Sequence, residues 1–74
     1  MVNVKIHLIG GEIITVTGLK EIKTILNPTK EKIYHKEDFA NFLLCQTFPY
    51  TFVCDNSIFA IPGSNILYIE FSTN

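Results

Sequence analysis

Apolar and polar residues alternate through the first part of the chain, with an interruption at Gly10 and Gly11. Alternation with a period of two is typical of a half-buried β-strand, and a glycine pair between two such runs is typical of a hairpin turn. A three-residue loop, Gly10-Gly11-Glu12, keeps the apolar side chains on one face and the polar ones on the other. This register pairs Leu8 with Ile14, Ile6 with Val16, Val4 with Gly18, His7 with Thr15, and Lys5 with Thr17.

The alternation stops at Leu19. The apolar positions of residues 19–26 fit either a bulged strand or a short helical turn, and Asn27-Pro28 would end both; we favour the strand. Residues 27–32, NPTKEK, have the composition of a solvent-exposed loop. In KEDFANFLLCQ, residues 36–46, apolar side chains recur at helical intervals and two acidic residues occupy the first turn, which predicts one short helix.

The last third of the chain has the pattern of an antiparallel meander. A turn at Asn56-Ser57 matches Phe52 and Cys54 with Phe59 and Ile61, and the sequence PGSN, residues 62–65, favours a second turn. Beyond it, the expected buried residues are Leu67, Ile69 and Phe71, and those expected opposite are Ile66, Tyr68 and Glu70. The element order β-β-α-β-β-β predicts a mainly β (α+β) fold: a small curved antiparallel sheet or open barrel with one short helix.

The composition predicts one domain, residues 1–74, that associates with itself. The chain is 47% hydrophobic and only 18% charged, whereas soluble domains average about 25% charged residues. A chain this short buries a smaller fraction of its surface than a large domain does, so some apolar surface should remain exposed. We therefore expect a homo-oligomer, whose subunit interfaces cover that surface.

The charge pattern excludes some classes of partner. The net charge is −1, and all six basic residues are lysines. A domain that binds duplex nucleic acid or an anionic membrane carries a basic surface, so neither partner is expected. The longest uncharged run, residues 39–54, is too short and too polar to span a bilayer, and no secretory signal is visible. We expect a cytoplasmic protein.

No arrangement of residues typical of catalysis is present. Cys45 and Cys54 lie far from any histidine in the sequence and fit a reduced, structural pair. The only adjacent carboxylates, Glu37 and Asp38, are accounted for by the helix dipole. Gly10-Gly11 is followed by a strand, whereas a phosphate-binding glycine loop is followed by a helix. We expect no enzyme activity, no catalytic residues, no cofactor and no metal site.

One set of residues is a candidate binding site. On the hairpin, polar side chains that can donate hydrogen bonds share the face opposite the core, and a tyrosine of the last strand can join them and stack on a ligand. Such a face could hold a phosphate or a carboxylate; a solvated hairpin face explains the same pattern without any ligand. The candidate ligand-binding residues are Lys5, His7, Thr15, Thr17 and Tyr68.

The opening VKIHLIGGEIITV and the closing IPGSNILYIEF resemble the short β-rich proteins encoded by phages and prophages of low-GC bacteria, as does the use of lysine without arginine. The resemblance covers the two ends of the chain and implies no particular site residues. It implies a location in the host cytoplasm. Two hypotheses follow: a homo-oligomer that binds a small anionic, nucleotide-type ligand between subunits and sequesters a host immune signal, or a protein-interaction module that inhibits or scaffolds a host or phage protein.

Overall fold

The computed structural model describes residues 1–73 and confirms a mainly β fold. Seven strands form two antiparallel sheets, one three-stranded with the order β2-β1-β7 and one four-stranded with the order β4-β3-β5-β6. The strands are β1 (Val2–Leu8), β2 (Ile13–Thr17), β3 (Leu19–Asn27), β4 (Lys30–Tyr34), β5 (Pro49–Cys54), β6 (Ile58–Pro62) and β7 (Ile66–Thr73). Two short 3-10 helices, Lys36–Asn41 and Gly63–Asn65, lie before β5 and β7.

The core lies between the two sheets. The fully buried side chains come from β1 and β7 on one side and from β3 and β5 on the other, and their burial supplies most of the hydrophobic driving force for folding. The largest of them are Tyr50, Phe52, Ile6, Leu19, Ile22, Ile66 and Val4.

Both predicted hairpin registers are wrong by two residues, although the residues on each face are the ones expected. In the first hairpin, Ile6 pairs with Ile14, and the Leu8 N–H donates to the Glu12 carbonyl oxygen at 2.8 Å. The loop is therefore 9–11 and not 10–12. Both glycines lie inside it and have φ of +106° and +98°, values that favour glycine. In the second hairpin, the Cys54 N–H donates to the Ser57 carbonyl oxygen, so residues 55 and 56 form the loop.

Residues 19–26 form a strand, as favoured, but the segment that follows is not the loop that its charges suggested. Asn27 accepts hydrogen bonds from the backbone N–H and the hydroxyl of Thr29, at 2.9 and 2.8 Å, which closes a tight turn. The chain then returns as β4 at the edge of the sheet. Charged side chains are compatible with an edge strand whose side chains face water, so the charge run of residues 30–32 did not exclude one.

The predicted helix over residues 36–46 is shorter than expected and is a 3-10 helix that ends at Asn41. Phe42 is already extended, with φ −66° and ψ 130°. Its ring packs edge-on against Tyr50, at 5.6 Å between centroids, and the Cys45 N–H donates to the Tyr50 hydroxyl at 2.7 Å. These tertiary contacts replace the second half of a helix, so Cys45 does not lie in one.

The last strand contains a β-bulge. Ile66 pairs with Leu8 and Tyr68 pairs with His7, so Leu67 is an extra residue without a partner on β1. Ile66 is fully buried and Leu67 is 57% exposed, the reverse of the expectation for these two positions. Beyond the bulge the alternation is as expected, with Ile69 and Phe71 packed on the core.

Candidate functional site

The solvent-facing side of the three-stranded sheet, here called the outer face, brings together all five candidate ligand-binding residues. Lys5 and His7 lie on the central strand, Thr15 and Thr17 on one neighbour, and Tyr68 on the other. Because of the shifted register, Lys5 is opposite Thr15 on one side and Glu70 on the other, while His7 lies between Ile13 and Tyr68. The sequence pattern placed these residues on one face correctly and their neighbours incorrectly.

His7 is engaged in contacts within the protein. Its ring stacks on Tyr68, with 4.0 Å between centroids and 12° between planes, and its Nε2 lies 2.5 Å from Glu70 Oε1. Only 16% of the His7 side chain is exposed. The imidazole therefore joins two residues of β7 to the central strand, which gives it a structural role on this face.

The other residues of the outer face weigh against an anionic ligand. Glu70 is directly opposite Lys5 and adds a carboxyl group to the polar patch. Ile13 beside His7 is 55% exposed, so an apolar surface adjoins the patch on that side. A phosphate placed here would meet a carboxylate and a hydrocarbon as well as one lysine. Binding of a nucleotide-type ligand at this face stays a prediction.

A groove along β7 is the second candidate site. It has a volume of about 540 Å³ and is lined by Phe39, Phe42, Leu44, Gln46, Leu67, Tyr68, Ile69 and Phe71. A second depression of about 370 Å³ continues it and shares Phe39 and Phe71; it reaches Lys36, Ala40, Ser72, Thr73 and Val2. The two together follow β7 from Leu67 to Thr73, with Val2 of β1 at one end, and we call them the edge groove.

Along the same stretch as this groove, alternate residues of β7 have backbone hydrogen-bonding groups that point away from β1. The hydrogen bond from the Leu8 N–H to the Glu12 carbonyl oxygen shows that the even-numbered residues of β1 have their backbone groups bonded to β2. In an antiparallel ladder the odd-numbered residues of β1 are then bonded to β7. The backbone groups of Ile69, Phe71 and Thr73 consequently point away from β1. Within residues 1–73, the hydrogen bonds outside the strand ladders do not reach these three residues.

Aromatic contacts fix the wall of the groove that faces β7. The Phe39 and Phe71 rings are stacked, 4.9 Å apart, and Phe42 packs edge-on against Tyr34, at 4.8 Å between centroids. The Tyr50 hydroxyl accepts from the Cys45 N–H and lies 3.4 Å from the Leu43 carbonyl oxygen, which ties residues 43–45 to the sheet behind them. Burial raises the pKa of Tyr50, so this hydroxyl stays protonated and able to donate.

A cysteine lies beside the groove wall as well. Cys45 stands between two groove-lining residues, Leu44 and Gln46, and its Sγ is 3.1 Å from the Thr47 hydroxyl. Hydrogen bonding to Thr47 lowers the pKa of Cys45, whereas burial raises the pKa of Cys54. We therefore expect the two thiols to differ in reactivity.

The sequence did not indicate this groove because most of its lining residues were assigned to the core or to a helix, and Tyr68 was assigned to the outer face. The available signal was the uncharged run of residues 39–54, which contains more apolar residues than one short helix and one strand can bury. Locating the groove required the end of the 3-10 helix at Asn41, since the extended chain after it forms the wall.

Comparison with protein-family models, curated proteins and solved structures finds no significant match to this chain. In the part of the chain that the structure describes, no helix has the length and apolar character needed to cross a membrane.

Proposed function

We propose that this protein is a non-enzymatic protein-interaction module that binds an extended segment of a partner protein as an added strand on β7. The observation that supports the proposal is the edge groove, where unpaired backbone groups of an edge strand lie next to a fixed apolar wall. In strand addition, backbone hydrogen bonds supply much of the affinity, and pockets for alternate side chains supply the specificity.

The geometry of a β-sheet defines how the segment would lie. An added strand runs about 4.8 Å from β7 and alternates its side chains between the two faces of the sheet. Side chains on the inner face would meet Phe39, Phe42 and Leu44, so apolar residues are favoured at every second position. Side chains on the outer face would lie beside Tyr68 and Glu70, where polar or basic residues are compatible.

The charges at the groove specify the segment further. Lys36 lines the groove where it passes the end of β7, close to Ser72 and Thr73. An acidic residue at the corresponding end of the segment would neutralise it. The expected ligand is therefore an extended peptide of about eight residues, the length of β7, with alternate apolar residues, one acidic end and no proline at the positions that donate to β7.

Selection from a random peptide-display library tests the proposal. We expect enriched peptides with apolar residues at alternate positions and an acidic residue near one end. Synthetic copies should bind in a fluorescence-polarisation titration, and replacing a donating residue by proline should weaken them at least about tenfold, because a ladder hydrogen bond is lost.

Two leucines provide a matched pair of protein variants. Leu67 is 57% exposed and lines the groove, whereas Leu43 is 77% exposed and lies outside its lining. Leu67→Asp should abolish measurable binding of the enriched peptides, and Leu43→Asp should leave it unchanged. Failure to enrich alternating peptides, or equal binding by both variants, would refute strand addition at β7.

A nucleotide-type ligand on the outer face is the second candidate, supported by Lys5 and two threonine hydroxyls on one ordered surface. Calorimetry against mono-, di- and cyclic nucleotides, including ribosylated ones, tests it separately. If this candidate is correct, Lys5→Ala weakens binding by about 1–3 kcal/mol, the contribution of a charge-assisted hydrogen bond, while Leu67→Asp has no effect.

A further inference from the structure

We infer that β2 is the interface through which two copies of this chain join, their β2 strands pairing antiparallel about a two-fold axis at Thr15. The resulting dimer contains one continuous six-stranded sheet. This inference is independent of the peptide-binding proposal, which concerns the opposite edge of the same sheet.

The four edge strands of the molecule differ in how they are protected. Natural edge strands avoid pairing with other chains by means of charged side chains, prolines or a covering segment. β4 carries Lys30, Glu31 and Lys32. β7 carries Glu70 and has the groove wall beside it, which hinders pairing with the whole sheet of a second copy but is compatible with the single extended segment proposed above. The bond from the Cys54 N–H to the Ser57 carbonyl oxygen means that residues 59 and 61 of β6 bond to β5, so residues 58, 60 and 62 point to the free edge. Pro62 is one of these outward-pointing residues, and it has no N–H to offer a partner.

β2 has none of these protections. Its sequence, IITVT, is uncharged, contains no proline and consists entirely of β-branched residues, which have the highest strand propensity. It is half-buried at alternate positions, and Ile13 at its start is 55% exposed. Such a strand at a sheet edge is a template for pairing with another strand.

The pattern of hydrogen bonds between β1 and β2 determines the register in which two β2 strands can pair. Because Glu12 bonds to Leu8, residues 14 and 16 also bond to β1, and the backbone groups of Ile13, Thr15 and Thr17 point to the free edge. A two-fold axis at Thr15 places Thr15 opposite the partner's Thr15 and Ile13 opposite the partner's Thr17. Every outward-pointing residue then falls in a hydrogen-bonded pair of the new ladder.

The same register is consistent on both faces of the sheet. Ile14 lies opposite the partner's Val16 on the core side, so two side chains that are only half-buried at the edge of the monomer gain an apolar neighbour. Each copy contributes the same patch, as a two-fold interface requires. The nearest charge, Glu12, falls opposite the partner's Gly18 and meets no like charge.

The strand that pairs with β2 is therefore the β2 strand of a second copy of this chain. In this register no like charges meet, apolar side chains lie opposite apolar ones on the core side, and the outward-pointing backbone groups bond to one another. The low fraction of charged residues, 18%, leaves the monomer with apolar surface that this pairing covers in part.

Charge substitutions at the axis test the inference. A residue on the two-fold axis is opposite its own copy, so Thr15→Lys places two lysines face to face and Thr15→Glu two carboxylates. Analytical ultracentrifugation of the wild type at micromolar concentration should give twice the 8.4 kDa chain mass. Each variant alone should sediment as a monomer, with dimer affinity reduced roughly tenfold or more.

An equimolar mixture of Thr15→Lys and Thr15→Glu should recover the dimer, because opposite charges then meet at the axis; native mass spectrometry identifies the mixed species by its mass. Ser72→Lys, an exposed change on β7 at the other edge, is the control and should dimerise as the wild type does. A monomeric wild type, a dimeric Thr15→Lys alone, or a mixture that stays monomeric would each overturn the inference.

Discussion

Neighbouring residues on β1 have opposite structural roles, because the strand separates the core from the outer face. Ile6 has no exposed surface, and its neighbours in sequence, Lys5 and His7, lie on the solvent side. His7 is partly buried, but its contacts with Tyr68 and Glu70 lie on the outer face, and a hydrogen bond of this kind contributes about 0.5–1.5 kcal/mol. Ile6, in contrast, belongs to the continuous packed core.

We therefore predict that Ile6→Asp unfolds the domain and that His7→Ala does not. The aspartate would be a buried carboxylate without a partner, a change of about 3 kcal/mol or more and a large part of the stability of so small a domain. Urea denaturation followed by circular dichroism measures both variants. Equal losses of stability would show that Ile6 and His7 do not differ in this way, and that Ile6 is not the residue of the two that faces the core.

The two cysteines should differ in the pH dependence of alkylation. The hydrogen bond from Thr47 stabilises the Cys45 thiolate and lowers the pKa of that thiol, so Cys45 should react at lower pH than an ordinary cysteine. Burial raises the pKa of Cys54, which should react only when the protein unfolds. Iodoacetamide labelling with peptide mapping between pH 6 and 10 resolves the two sites.

The variant Thr47→Val tests whether the hydrogen bond with Thr47 is what lowers the pKa of Cys45. It removes the hydroxyl that stabilises the thiolate, so the midpoint of the Cys45 profile should move to higher pH. An unchanged profile would mean that another group determines the reactivity of this thiol. The Cys54 profile is the internal control and should not change.

At the scale of elements, the sequence predicted faces better than it predicted registers. Alternation identifies which residues share a side of a strand, which is why Ile6 and Phe52 were placed correctly. It does not identify the residue at which a turn begins, because Ile9 and Glu12 are both compatible with a loop next to two glycines. Each turn was consequently misplaced by one residue and each register by two.

The groove was less predictable than the sheet because it depends on contacts between distant parts of the chain. The helical spacing of Phe39, Phe42 and Leu43 is a real pattern, but the helix ends early where Tyr50 binds the backbone of Cys45. The outer-face residues, which follow from strand alternation alone, were all placed on the correct surface. A surface that follows from alternation within each strand can be predicted from the sequence, whereas a groove formed between distant segments cannot.

The second 3-10 helix fits against the loop before β5 only because it starts with a glycine. The Gly63 N–H donates to the Phe48 carbonyl oxygen at 2.7 Å, and a Cβ at Gly63 would overlap the carbonyl oxygens of Cys45 and Phe48. Gly63→Ala should therefore lower the free energy of unfolding by about 1–3 kcal/mol, the usual effect of overpacking. Ser64→Ala, at the next and exposed position, should change it little. Urea titrations of the two variants make the comparison, and equal stabilities would contradict it.

At the scale of the whole molecule, the two proposed interfaces occupy opposite edges of one sheet. Pairing through β2 leaves β7 at each end of the six-stranded sheet, so the dimer has two edge grooves. We predict a stoichiometry of one peptide per chain, and for two tethered peptides with a linker long enough to span the dimer an affinity roughly a hundredfold higher than for one. Thr15→Lys should remove this gain and leave the affinity for a single peptide unchanged, as isothermal titration calorimetry can measure.

The bulge in β7 has a consequence for how the chain tolerates the loss of a residue. Deleting one residue within a strand normally turns every side chain beyond it to the wrong face. Leu67, however, is the residue without a partner, and its removal would let Ile66 and Tyr68 pair with Leu8 and His7 in an uninterrupted ladder. The deletion of Leu67 should therefore give a folded protein with a dispersed amide spectrum, whereas the deletion of Ile69 should not. Insertions and deletions are commonly confined to loops, and this chain contains a position inside a core strand where natural length variants could arise and survive.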